Sequence, residues 1–201
     1  LYLGKAASLR ARVRRHFGPD PPEPAKSRAL ARRARRLVWE ETGSELEALL
    51  REQMALTEEL PPLNRQERVH RRPRGQWRGA AVLLVLPSVA AGRVEVCLVA
   101  GDGRFHWERV PARGRLPRGL WHRVGAFLRG ETPGWAPGRP DRCLTPPEAE
   151  ALSEIALTWL VRGGDTVNQI DLAAETPGRH LQRRLRTLLA EDPGRERVET
   201  R

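Results

Sequence analysis

Several residue types are scarce in this chain of 201 residues. It contains two cysteines and one tyrosine, and only two of its 36 basic residues are lysine. Cys97 and Cys143 show neither a C-x-x-C pair nor cysteine–histidine ligand spacing, so we expect two reduced thiols rather than a disulfide or a zinc site. No apolar run approaches the ~20 residues that a membrane-spanning helix needs. We therefore expect a soluble, cytoplasmic protein without membrane contacts.

The charge is strongly positive, with a formal net charge of +11. Such an excess favours a polyanionic partner, and nucleic acid is favoured over a membrane because no lipid-anchoring helix is evident. Nearly all the basic residues are arginine, in a chain rich in alanine, glycine, proline and leucine. A compositional bias accounts for the charge equally well, so charge alone leaves nucleic-acid binding open.

The scarce residue types indicate where to look for chemistry. In a chain that otherwise avoids them, Tyr2, Lys5, Lys26, Asn64 and Asn168 are more informative than an average residue. Three of them, the tyrosine, the first lysine and the first asparagine, belong to the segment discussed below.

Apolar periodicity and turn residues predict an α+β fold. Ser8 is a candidate N-cap for a helix whose apolar positions are Leu9, Val13 and Phe17. Ser44 and Glu47 have the spacing of a capping box. The predicted strands are 1–3, 36–42, 80–87, 93–100 and 104–110. The predicted helices are 8–17, 27–35, 44–60, 118–130, 145–162 and one beginning at 176.

Four fragments occur in a meaningful order in the first third of the chain. The segment "YLGKAASLRARVRRHF" is followed by "ELEALLREQMALTEELPPLN". Together they resemble the GIY-YIG nuclease domain, and most closely its UvrC-type branch, the incision subunit of bacterial nucleotide excision repair. Tyr2-Leu3-Gly4 stands where that family has Tyr-Ile-Gly, "EALLRE" stands at its Glu-Ala-Leu-Leu-Leu-Glu run, and "PPLN" at its Pro-Arg-Tyr-Asn. The resemblance covers residues 1 to about 75.

The resemblance implies a domain organisation. Residues 1–75 are expected to form a small GIY-YIG-like mixed sheet with flanking helices, lacking the family's first strand with its Gly-Ile-Tyr. A β-rich unit with one helix (76–142), a helical segment (143–190) and a disordered tail (191–201) are expected to follow. The chain is then an N-terminally truncated piece or the C-terminal part of an exonuclease–UvrC-like fusion.

The resemblance also implies an activity. It is that of a DNA endonuclease that makes single-strand incisions with one Mg²⁺ or Mn²⁺, in DNA repair and together with other repair proteins. By resemblance, Glu52 is the metal ligand and Arg12 meets the scissile phosphate. Tyr2 orients or deprotonates the attacking water, and Lys5 reaches a phosphate or the Tyr2 hydroxyl. Gly4 and Asn64 support the site, the asparagine through backbone hydrogen bonds.

Two groups of arginines are candidates for DNA contacts. On the first helix these are Arg10, Arg14 and Arg15, and after the family-like segment they are Arg65, Arg68, Arg71, Arg72 and Arg74. A solvated basic linker is an equally good interpretation of the second group, which lies close to Trp77.

Two other functions remain open at this stage. A non-catalytic DNA-binding or scaffold protein that kept the fold explains the same residues, and structured RNA is a possible alternative ligand. Taken singly, each candidate residue also has an ordinary interpretation, as a core aromatic, a surface cation, an exposed helix acid or a turn residue.

Overall fold

The structure is a computed structural model that describes residues 1–64, 79–131, 143–163, 167–173, 175 and 178–190. Over these residues the predicted α+β class is confirmed. The helices are α1 (Leu9–Phe17), α2 (Pro24–Arg33), α3 (Glu45–Glu58), α4 (Arg118–Leu128), α5 (Pro146–Val161) and α6 (Arg179–Ala190). The strands are β1 (Ala81–Pro87), β2 (Arg93–Ala100), β3 (Phe105–Pro111) and β4 (Asn168–Asp171). None of the helices in the described ranges is long and apolar enough to cross a membrane.

The strands form one antiparallel sheet in the order β3-β2-β1-β4. Its three long strands are the three predicted between residues 80 and 110. The edge strand β4 was not predicted, and it pairs with β1 through a register in which Leu83 faces Ile170. The sheet therefore combines residues from the predicted units 76–142 and 143–190, and the division of the chain into those units stays a prediction.

Both faces of the sheet are covered, because successive side chains of a strand point to opposite sides. One face carries Leu83, Val96 and Leu98 and packs on helices α4 and α6. The other carries Leu84, Cys97, Val99, Phe105 and Trp107 and packs on helices α3 and α5. This burial on two faces explains why β2 is a nearly continuous apolar run rather than an alternating one.

The described residues of the N-terminal third contain no strand. The predicted strands 1–3 and 36–42 have no regular secondary structure, and neither belongs to the described sheet. In the second, Leu37, Val38 and Trp39 are 53%, 75% and 63% exposed. The apolar residues of 36–42 are typical of a strand, but a strand forms only where a neighbouring strand pairs with its backbone hydrogen-bonding groups. The expected GIY-YIG-like sheet is therefore not formed by residues 1–64, and the sheet of this molecule lies after residue 80.

Helix α3 joins the N-terminal third to the sheet. Its Leu46 and Leu50 are fully buried against the sheet face that carries Phe105 and Trp107. Ser44 caps the helix as predicted, with its Oγ accepting from the backbone N–H of Glu47 at 3.1 Å. These contacts fix the position and rotation of α3, and so of every side chain on its outer face.

A buried polar network accompanies this packing. Glu47, which is 0% exposed, accepts a hydrogen bond from the backbone N–H of Gly43 at 2.7 Å. The Nη2 of Arg109 lies 3.7 Å from the same carboxylate, and its Nε donates to Glu95 at 2.5 Å. Trp107 also donates to Glu95, at 3.0 Å. Arg51, one turn along α3, donates to Glu47 at 2.9 Å and is its closest cation. Arg51 therefore pairs with Glu47 and Arg109 pairs with Glu95, which supplies the pairing that buried charges require.

Gly43 lies where α3 meets the sheet. A Cβ at this position would be 2.2 Å from the carbonyl oxygen of Pro87 and 2.8 Å from the Cα of Ser88. Because both are backbone atoms, we expect Gly43→Ala to lower the free energy of unfolding by about 1–3 kcal/mol, measured by urea denaturation. Gly125→Ala in α4 is the control, since only the guanidinium of Arg129 lies nearby, at 3.3 Å. That variant should be neutral or more stable by about 0.5–1 kcal/mol, and equal stabilities for the two variants would contradict the close approach.

Candidate functional site

The first five residues are held in place by the loop that follows α3. The side chain of Asn64 accepts from the backbone N–H of Leu3 at 2.9 Å and donates to its carbonyl at 2.8 Å. The backbone N–H of Leu63 donates to the carbonyl of Leu1 at 3.0 Å. The Asn64 amide thus satisfies both the N–H and the C=O of Leu3, as a neighbouring strand would. This pairing holds the segment in place without a partner strand.

Tyr2 and Arg12 form the first contact of the site. The guanidinium Nη2 of Arg12, on α1, donates to the hydroxyl of Tyr2 at 2.5 Å. Gly4 lies directly beneath this pair. A Cβ there would be 2.7 Å from the Tyr2 hydroxyl and 3.5 Å from the Arg12 guanidinium, so the glycine is needed for space.

Glu52 forms the second contact of the site, with the backbone of Lys5, three residues after Tyr2. Its Oε1 accepts from the backbone N–H of Lys5 at 3.1 Å. Glu52 projects from α3, whose other face is anchored on the sheet, and its side chain is half-buried. The chain between Tyr2 and Lys5 therefore links the tyrosine–arginine pair to the carboxylate.

Lys5 has a different partner from the one expected. Its ammonium donates to Glu45 Oε1 at 2.9 Å, whereas the expected partner was a phosphate or the Tyr2 hydroxyl. The other oxygen of Glu45 accepts from Trp159 Nε1 of α5 at 3.3 Å. The hydrogen bond from Lys5 lowers the pKa of Glu45 below its ordinary value, so this carboxyl is ionised at neutral pH.

The residues fit a single divalent cation held by one carboxylate. Within the described ranges no group of three or more histidine, cysteine, aspartate or glutamate residues could hold a metal ion. Glu52 Oε2 has no hydrogen-bond partner in the same ranges and is the oxygen left to ligate. Mg²⁺ commonly takes one or two carboxylates and completes its shell with water and substrate phosphates. A single carboxylate ligand, Glu52, is consistent with this coordination preference of Mg²⁺.

The predicted DNA-binding arginines divide into two groups. Arg10, Arg14 and Arg15 are exposed on α1, the helix that carries the half-buried Arg12. The second group, Arg65 to Arg74, and Trp77 lie outside the described residues. Only the first group can therefore be placed relative to the site.

The inward face of α1 differs from the predicted one. Leu9 and Phe17, expected to be its apolar side, are 39% and 50% exposed. The third predicted apolar position, Val13, is half-buried as expected. The residue buried on this helix is His16, and the half-buried Arg12, four positions before it, shares its face. The helix packs beside Tyr2 through polar and aromatic contacts, and an analysis of apolar spacing alone misses this.

Three residues near the site were not predicted as site residues. Glu45 carries no sequence signal that separates it from other helix acids. His16 carries none either, since the histidines of the chain are dispersed. Lys26 did carry a signal, because it is one of two lysines in an arginine-rich chain.

Comparisons with known proteins point to the same segment. The family described as the UvrC-like GIY-YIG domain matches residues 1–65. The UvrABC system protein C of Alcanivorax borkumensis is 45% identical over 64 residues, which are 32% of this chain and 10% of that relative. No solved structure matches the chain.

The match covers the N-terminal third of the chain, up to residue 65. It includes Tyr2, Lys5, Arg12, Glu52 and Asn64, and it excludes the whole four-stranded sheet. The chain spans only 10% of the length of the relative, so the similarity concerns this segment and not the complete relative. Residues 1–65 thus match the UvrC-like GIY-YIG domain, and the resemblance predicted from the sequence is confirmed over this segment.

Proposed function

We propose that this chain is the nuclease part of a metal-dependent DNA endonuclease that makes single-strand incisions in nucleotide excision repair. The observation that carries the proposal is a pair of hydrogen bonds made by the first five residues. The Tyr2 hydroxyl accepts from Arg12, and the backbone N–H of Lys5 donates to Glu52. The similarity to a UvrABC subunit over the same residues supports DNA as the substrate.

Phosphodiester hydrolysis needs an aligned water, charge neutralisation on the phosphate and stabilisation of the leaving oxygen. Arg12 supplies a planar fork that can bridge two phosphate oxygens. Tyr2, held by that same guanidinium, orients or deprotonates the water. Glu52 would hold the divalent cation, Mg²⁺ or Mn²⁺, which would add positive charge at the phosphate.

The exposed arginines of α1 supply the rest of the DNA contact. Arg10, Arg14 and Arg15 are exposed on the same short helix as the half-buried Arg12. Backbone phosphates are bound by such side chains without regard to sequence. We assign the reaction to residues 1–75, the remaining units to contacts with DNA or with other repair proteins, and the whole protein to the cytoplasm.

A catalytically weakened DNA-binding or scaffold module is the second candidate. One contact favours it: the Lys5 ammonium is bound to Glu45 rather than left for a phosphate. This pair is largely solvent-exposed and so worth little, about 0–1 kcal/mol. DNA phosphate can displace it, and we therefore retain the endonuclease as the first proposal.

Plasmid nicking tests the proposal directly. The native polypeptide is incubated with supercoiled plasmid in Mg²⁺, in Mn²⁺ and with EDTA, and relaxed circles are counted over time. We expect relaxed circles with either metal and none with EDTA. Tight, salt-sensitive plasmid binding without nicking on plain or damaged DNA would instead establish the binding module. Competition by structured RNA that exceeds competition by DNA would assign the surface to RNA.

A further inference from the structure

A second cation lies on Tyr2 besides Arg12. The Nζ of Lys26, on α2, is 4.4 Å from the centroid of the Tyr2 ring, over its face. An ammonium at this distance is attracted by the negative face of the ring. The Lys26 side chain is only 17% exposed, and Glu23 balances its charge at 3.5 Å. Partial burial strengthens the attraction, because less water competes for the ammonium.

The position of Lys26 is unfavourable for its own helix. It is the third residue of α2, which begins at Pro24 and has no acidic residue in its first turn. A positive charge there opposes the helix dipole. In a chain with only one other lysine, Lys5, a lysine in this position is explained by its contact with the ring rather than by helix stability.

His16 packs against the same ring. The two ring centroids are 5.1 Å apart, with the planes at 68°, which is the edge-to-face arrangement that aromatic pairs prefer. His16 is 7% exposed, and neither of its ring nitrogens has a hydrogen-bond partner among the described residues. A buried polar group without a partner needs a reason, and the Tyr2 contact provides one.

The charges around His16 keep it neutral. Burial lowers the pKa of His16, and the charges of Arg12, Lys26 and Arg15 lower it further, against an opposing effect of Glu23. These are the charged groups that act on it from α1, from α2 and from the loop before α2. A neutral imidazole adds no third cation beside Tyr2 and packs there as an aromatic ring.

We propose that Lys26 and His16 are positioning residues, which hold the Tyr2 ring through a cation–π and an edge-to-face contact so that the hydroxyl stays on Arg12. The neighbouring Leu3 backbone is held by Asn64, but a fixed backbone does not by itself fix the rotamer of the Tyr2 ring. The inference rests on the proposed function, since it gives Tyr2 its role in the reaction. Helix α2 is thereby assigned to the site, although no candidate catalytic residue lies on it.

The single tyrosine of the chain makes the contact measurable without activity. With tyrosine labelled by ¹³C at Cζ, the 201-residue chain gives one NMR signal, that of Tyr2. We expect Lys26→Met and His16→Ala each to move this signal, and Lys26→Arg and His16→Phe to move it less. Arg28→Met, at an exposed position of the same helix, is the control and should leave it in place. Circular dichroism checks that each variant is folded.

Nicking by the same variants separates positioning from binding. We expect Lys26→Met and His16→Ala to lower kcat about threefold to tenfold, the range that such ring contacts sustain. KM should change less than twofold, and Lys26→Arg and His16→Phe should recover most of kcat. A Tyr2 signal that stays in place in folded Lys26→Met, or kcat equal to that of the native protein, would overturn the inference. Loss of nicking in the native protein itself would refute the proposed function instead, while the NMR result still decides the ring contacts.

Discussion

Replacing Glu52 with alanine is expected to abolish metal-dependent nicking. Glu52 is the proposed metal ligand and has one oxygen on the Lys5 backbone, and a bound metal contributes several kcal/mol to stabilising phosphate charge. Each 1.36 kcal/mol corresponds to a factor of ten in rate, so we expect a loss of about 10³-fold or more. The measurement is the nicking rate of the native polypeptide against its variant, in Mg²⁺ and Mn²⁺.

Glu52→Gln sharpens this test. Glutamine keeps an oxygen for the hydrogen bond from the Lys5 backbone, now 3.1 Å long, and removes only the charge. If Glu52 acts through the metal, the glutamine variant should be as inactive as the alanine variant. Glu59→Ala, at the exposed end of the same helix, is the matched control and should nick normally. Normal rates in Glu52→Gln would remove Glu52 from the metal site and leave it a structural role.

Arg12→Ala is expected to lower kcat by about 10²–10³, the usual loss when one donor to a transition-state oxyanion is removed. The variant also loses the hydrogen bond to the Tyr2 hydroxyl. Single-turnover nicking at saturating plasmid measures the effect on chemistry rather than on binding.

A neighbouring arginine provides the contrast. Arg14 lies on the same helix but is exposed, so we expect Arg14→Ala to raise KM and reduce the salt dependence of binding while kcat changes little. Equal effects of Arg12→Ala and Arg14→Ala would mean that Arg12 is one more phosphate contact and not part of the chemistry.

The sequence predicted the elements whose formation depends on local pattern. The three long strands of the sheet and α3 with its Ser44 cap lie within a few residues of their predicted ranges. The strand expected over 36–42 was wrong, because a pattern of apolar residues does not show whether a partner strand is present. Strand β4 was missed for the opposite reason. Its four residues are mostly polar, and only Ile170 is buried.

The site divides in the same way. A family-like order of fragments was enough to propose Tyr2, Arg12 and Glu52, and the first two of these are in direct contact. The pairing of Lys5 with Glu45 depends on where α3 lies in space, and spacing along the chain does not encode that. Roles in the reaction stay predictions until the variants are measured.

The position of α3 has a consequence for modularity. The helix contributes Glu52 to one side and buries Leu46, Leu50 and Glu47 against the sheet on the other. Excising the UvrC-like segment would expose the two leucines, at about 1.5–3 kcal/mol each. It would also remove Arg109 from the neighbourhood of Glu47, although Arg51 of α3 would stay with the segment and remain paired with that carboxylate. Since a whole domain is stable by only about 5–15 kcal/mol, we expect the segment to be unstable without the sheet. Transferring it to another protein would therefore require the sheet to be transferred as well.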